Sequence, residues 1–153
     1  MPAKKVNIKN YTSQVSAKRS IQRIEDCLMK HGAKHIIKLV ESERVVGLAF
    51  VIDINGKEYP FKLPARIEKI EKHFKNERMS PSAEKKAIEQ AERTAWRLLH
   101  ELIEIQMSLI TLDQTELMEI FLPYLYDVTK ENTLFEKIKK TDFKLITDKN
   151  WLI

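Results

Sequence analysis

The chain has 153 residues, 43% of them hydrophobic, with 27 Lys/Arg against 22 Asp/Glu for a net charge of +5. That length and apolar content suit one domain that buries a core without staples or metals, and the single cysteine, Cys27, can neither close a disulfide within the chain nor fill a familiar metal spacing. No apolar run approaches the ~18 residues of a membrane span and none follows the basic start, so a soluble, cytoplasmic chain without a signal peptide or membrane partner is expected.

The charge is unevenly placed. Residues 1–80 hold 17 Lys/Arg against 9 Asp/Glu, a net of +8, and residues 81–153 hold 10 against 13, a net of −3. Such asymmetry hints at a face for polyanions, although ordinary solvated lysines give the same count.

Residues 1–15 lack periodicity and read as a flexible basic lead-in to a domain over 16–153. Ser16 is a candidate N-cap, Ala17, Ile21, Ile24 and Leu28 recur on one helical face, and Gly32 supplies the stop, which predicts a helix from Ser16 to His31. Arg19, Arg23 and Lys30 form a second stripe on it.

From Ala33 to Leu63 the period becomes two. Asn55-Gly56 is a strong hairpin signal, because both central residues of a type I′ turn need positive φ. Counting outward pairs Ile54 with Lys57, Ile52 with Tyr59, Phe50 with Phe61 and Leu48 with Leu63, all on the core face. A turn at Ser42-Glu43 adds Ile37 opposite Leu48 and Leu39 opposite Val46, completing a three-stranded antiparallel meander over about 33–63. That register sends Lys34, Ile36, Lys38, Gly47, Ala49, Val51, Pro60 and Lys62 to a flat, basic second face. Such a face could contact phosphates or a partner, or be covered by the C-terminal helices, which would shelter Ile36, Val40, Val45 and Val51. His35 falls on the core side near the sheet edge.

Pro64 fits the first turn of a second helix reaching about Asn76, with Ile67, Ile70 and Phe74 apolar. Beyond Ser80, the positions Ala91, Ala95, Leu98, Leu102, Ile105, Leu109 and Leu112 alternate at four and three. This heptad seam, widened by Leu99, Ile103 and Ile110, predicts a long core helix over about 80–112, with homodimerisation as a second use. Asp113 with Glu116 resembles a capping box for a helix through Phe121, either separate from the long one or continuous with it. Thr133 with Glu136 caps a short helix to Lys140, Phe143, Leu145 and Ile146 suggest a short strand, and Trp151 suggests a docked tail. The fold class expected is α+β.

No cofactor or catalytic motif is present. Three glycines leave no dinucleotide or phosphate loop and no nucleophile elbow, and His31, His35, His73 and His100 have no ligand partner at metal spacing, so a non-enzyme without cofactor or metal is expected. In Arg93-Thr94-Ala95-Trp96-Arg97 the indole could stack a base between guanidinium groups. It could equally be buried while the arginines pair with Glu89, Glu92 or Glu101. Arg19, Arg23, Lys34, Lys38, Lys62, Arg66, Arg93 and Arg97 are the candidate nucleic-acid contacts, acting on backbone phosphates.

The segments Phe61-Lys62-Leu63-Pro64-Ala65-Arg66, Gln90 to Arg97 and Phe121-Leu122-Pro123-Tyr124 resemble a family of small, mostly uncharacterised proteins of phages, prophages and mobile elements. The resemblance spans most of residues 11–140. It implies an accessory protein that handles nucleic acid, with a protein-binding module or inhibitor of a host factor as the alternative, and it assigns no catalytic residue. The order helix, three strands, helix is also similar to a double-stranded-RNA-binding domain. That family's phosphate-binding lysines open the helix after the third strand, where this chain has Pro64-Ala65-Arg66; its more similar Glu84-Lys85-Lys86-Ala87 comes about twenty residues later.

Overall fold

A computed structural model describes residues 8–147. Helix α1 (Ala17–Lys30) precedes an antiparallel meander of β1 (Ala33–Glu41), β2 (Arg44–Ile54) and β3 (Lys57–Pro64). Then come α2 (Ile67–Phe74), the long α3 (Pro81–Thr111), α4 (Leu117–Phe121), a two-strand ladder of β4 (Tyr126–Asp127) and β5 (Asn132–Thr133), α5 (Leu134–Lys140) and α6 (Lys144–Thr147). The fold is α+β. The chain divides into two compact units, each built from two stretches of sequence: 1–28 with 65–105, and 29–64 with 106–153. The proposed tail contact of Trp151 lies outside the described residues.

In the first unit, α1 starts where the Ser16 hydroxyl accepts the Arg19 N–H at 3.2 Å. It buries Ile21, Ile24 and Leu28, the face that its spacing predicts, together with Ser20. The expected second helix starts later than Pro64, which is the last residue of β3, and α2 begins only at Ile67. Arg66 intervenes with φ 50°, a left-handed conformation that ends the strand and turns the chain into the helix. Helix α3 begins as expected, with the Ser80 hydroxyl accepting the Ala83 N–H at 3.2 Å; Glu84-Lys85-Lys86 lies near its start. Residues 8–15 are irregular but fastened to α3. Asn10 Nδ2 donates to Glu101 Oε2, Thr94 Oγ1 donates to the Asn10 carbonyl, and Gln90 Nε2 and Arg93 Nε both donate to the Ser13 carbonyl. A lead-in with no apolar period is thus held by polar side chains on a helix far along the sequence.

The heptad seam needs correction. Ala91 and Ala95 are buried as expected, but the buried line then runs through Trp96, His100, Ile103 and Met107. Leu102 and Ile105 are left 41% and 59% exposed. The two lines lie on opposite sides of the helix, since residues two apart at 3.6 residues per turn are about 200° apart, and sequence spacing alone did not show which one faces the interior.

In the second unit the Asn55-Gly56 hairpin has the register counted from its turn, with Phe50 opposite Phe61 and Leu48 opposite Leu63. Asn55 and Gly56 have φ of 54° and 82°, and the Asp53 carboxylate accepts the Gly56 N–H at 2.9 Å. Ser42 and Glu43 turn as expected, with positive φ at both, and Val40 pairs with Val45. One step further a bulge intervenes, and Leu39 faces Gly47 in place of Val46. The extra residue shifts every later partner: Lys38 faces Leu48 and Ile37 faces Ala49. A second bulge at His35 (φ 52°) and Ile36 restores the register, with Lys34 opposite Val51.

Between the two bulges each side chain changes face. Ile37 and Leu39 leave the core side, Ile37 to 57% exposure, and Lys38 leaves the second face. His35 is exposed on a bulge, so its expected place on the core side is also corrected. Gly47 is required here: a Cβ on it would stand 2.9 Å from the Leu63 carbonyl oxygen.

The core of this unit is an aromatic cluster. Phe50 and Phe61 stack at 5.7 Å, and Phe121 of α4 meets both edge-on at 6.0 and 5.8 Å. Helices α3 and α4 are separate. Asp113 (φ 56°) is the left-handed C′ residue of a Schellman end, its N–H bonding the Ile110 carbonyl while the Gln114 N–H bonds that of Leu109. The box at α4 therefore joins Glu116 and Glu119, not Asp113 and Glu116, with the Glu116 N–H donating to Glu119 Oε2 at 3.4 Å. Thr133 caps α5 as expected, accepting the Glu136 N–H at 3.2 Å. The strand expected around Phe143 is instead the short helix α6.

Candidate interaction surfaces

The eight basic candidates fall in different settings. In the first unit Arg93 and Arg97 serve the fold. Arg93 Nη2 donates to Gln90 Oε1 at 2.6 Å, besides its bond to Ser13, and Arg97 Nε donates to Glu101 Oε1 at 3.1 Å. Trp96 between them is fully buried, so of the two accounts of this cluster the buried indole holds. Glu101 is the hub, also meeting Lys9 at 3.0 Å. Partial burial opposes its ionisation, but hydrogen bonds from Lys9 and Asn10, the Lys9 charge and the Arg97 bond together hold its carboxyl below the ordinary glutamate range.

Arg66 is half-buried at the entry to α2. Arg19 is exposed and Arg23 half-buried on α1, and among the described residues neither pairs with a carboxylate.

In the second unit Lys34 and Lys62 share the second face, through their partners Val51 and Ala49. Both have company. Lys34 meets Glu58 at 3.8 Å, and the Lys62 ammonium lies 5.5 Å from the centre of the Tyr126 ring, a cation–π contact. Lys38, set opposite Leu48 by the bulge, is not on that face. The sheet lysines therefore do not form the single row that unbroken alternation implies.

Apolar surface is the other feature. Along α3, Leu98 is half-buried while Leu102 and Ile105 are in solvent, all three at heptad spacing on one stripe. On the sheet, Val40 is 60% exposed beside Ile37, so the expected cover over this face is incomplete at β1. Phe121 packs on the other, core face.

The second unit also contains a cavity of about 220 Å³ walled by Pro60 of β3, the β4–β5 ladder and α5. Sequence reasoning missed it, because two-residue strands are too short to carry a period and the Asn132 side chain gives no motif. Among the described residues no cluster of His, Cys, Asp and Glu could hold a metal ion, and no helix is long and apolar enough to cross a membrane. His31 bonds the Thr111 hydroxyl at 3.1 Å, and the buried His100 lies 2.7 Å from Glu104. No family model, no curated protein and no solved structure matches this chain.

Proposed function

We propose that this chain is a non-enzymatic interaction module that docks a helix of a protein partner on α3. On the sequence resemblance, that partner is a host or phage protein. The observation that supports this reading is the stripe of Leu98, Leu102 and Ile105. Single exposed aliphatic residues are ordinary, but here two exposed residues and the half-buried Leu98 line up at spacings of four and three, the pattern of a seam into which a second helix sets its side chains. The test is affinity isolation from a nuclease-treated extract with the wild type and with L102E/I105E. A protein retained by the wild type and lost by the variant supports the reading. An unchanged retained set refutes it.

A second reading, binding to nucleic acid, is supported by Arg19 and Arg23, which have no acidic partner among the described residues and belong to the +8 half of the chain. Reversing charge at Arg19, Arg23, Lys34, Lys38 and Lys62 would abolish such binding, because it rests on the number of phosphates neutralised. Fluorescence anisotropy at low salt decides this. Absence of binding by the wild type to single- and double-stranded oligonucleotides eliminates the reading.

A further inference from the structure

We propose that residues 8–13 are a releasable strap that masks the upstream end of the α3 docking stripe, with Asn10 lying over Leu98. The inference rests on the reading of that stripe as a docking site and concerns its regulation. Thr94, Leu98 and Glu101 follow one another at spacings of four and three, which sets them in one row on the helix. Asn10 is bonded to both ends of that row: its carbonyl accepts the Thr94 hydroxyl at 2.9 Å, and its Nδ2 donates to Glu101 Oε2 at 3.0 Å. Thr94 and Glu101 are two turns apart, about 10 Å along the axis, so a residue that reaches both passes across position 98 between them. This cover accounts for Leu98 being half-buried where Leu102 and Ile105, beyond the last of these bonds, are in solvent.

The strap is held by polar contacts. None of residues 8–15 is fully buried, and Tyr11, the largest side chain among them, is exposed. Besides the two bonds of Asn10, Lys9 Nζ meets Glu101 Oε2 at 3.0 Å, and Gln90 and Arg93 donate to the Ser13 carbonyl at 3.1 and 3.2 Å. Water replaces such contacts readily, and a segment with little buried apolar surface opens locally at a fraction of the cost of global unfolding. Opening uncovers Leu98, which lengthens the seam offered to a partner helix by one step of its heptad. It also frees the Glu101 carboxylate beside that seam from Lys9 and Asn10. A partner helix that reaches Leu98 must displace Asn10, and a lysine or arginine on that helix can take the place of Lys9 on Glu101. Such a helix binds the open form better than the closed one and so draws the strap off α3.

The test is thiol labelling of the full chain in a Cys27→Ala background, with Leu98→Cys or Leu102→Cys as the reporter, and it needs no partner. The Leu98→Cys thiol should react about tenfold or more slowly than that of Leu102→Cys, because it is reached only through local opening. Adding Thr94→Val, or separately Glu101→Ala, removes one bond to Asn10 and should raise the Leu98→Cys rate severalfold, with the Leu102→Cys rate and the circular dichroism of the helices unchanged. Equal rates for the two reporters before either addition overturn the inference. So does a Leu98→Cys rate that neither addition raises, or a rise common to both reporters. The docking reading fails separately, in the isolation experiment with L102E/I105E.

Discussion

Replacing Phe121 by Ala tests the packing on the sheet that no local pattern announces. The ring is fully buried and meets Phe50, Phe61 and Tyr124 at centroid distances of 6.0, 5.8 and 6.3 Å. Emptying a buried phenylalanine site costs about 3–5 kcal/mol. Edge-on ring pairs contribute about 0.5–1.5 kcal/mol each beyond area, so the loss of two of them puts this site near the top of that range, about 4–5 kcal/mol. Against a typical total of about 5–15 kcal/mol the loss is severe. With a urea m-value of about 2 kcal/mol/M, the midpoint should fall by about 2 M. The assay is a urea melt followed by circular dichroism, with fluorescence of the buried Trp96 as a second probe. A double-mutant cycle with Phe50→Leu should show coupling, since the rings touch. A loss under about 1.5 kcal/mol, together with additive single effects, would refute the placement of α4 on the sheet.

Three further outcomes follow from the same geometry. Ile37→Lys should change stability by no more than about 0.5 kcal/mol in thermal melts, because the bulge puts this side chain in solvent; a cost of several kcal/mol would restore the unbroken register. Gly47→Ala should cost about 1–3 kcal/mol in the same assay, since the new methyl would press on the backbone carbonyl of Leu63, and a neutral result would mean that β2 and β3 separate freely there. Glu101 is held below its unfolded value of about 4.3, so its stabilising contribution is complete above that pH and is lost as the pH falls through the lower, folded value. Glu101→Gln should therefore flatten the acid limb of the stability–pH curve, and an unchanged limb would remove Glu101 from the network with Lys9, Asn10 and Arg97.

What the sequence determined by itself was local. Ser16 and Thr133 cap helices where their hydroxyls precede an apolar period, and Asn55-Gly56 sets the pairing of β2 with β3, because a two-residue turn with positive φ at both positions leaves only one register. Each of these follows from interactions within a few residues, which is why each is visible in a short window. Tertiary structure decided the rest. Ser42-Glu43 fixes only the first pairs of β1 and β2. The bulge opposite Leu39 then exchanges the faces of Ile37 and Lys38, coinciding with the point where Gly47 lies too close to the Leu63 carbonyl to carry a side chain. On α3 the spacing of Leu98, Leu102 and Ile105 is as regular as that of Trp96, His100, Ile103 and Met107. Only the elements packed around a helix select which stripe is buried, and they left the more aliphatic one exposed. The fate of the basic residues has the same origin. Arg93 and Arg97 are consumed by Gln90, Glu101 and the Ser13 carbonyl, whereas Arg19 and Arg23 on α1 pair with no carboxylate among the described residues. A count of charges records how many cations a chain has, but their partners are set by which distant carboxylates and carbonyls folding brings within reach.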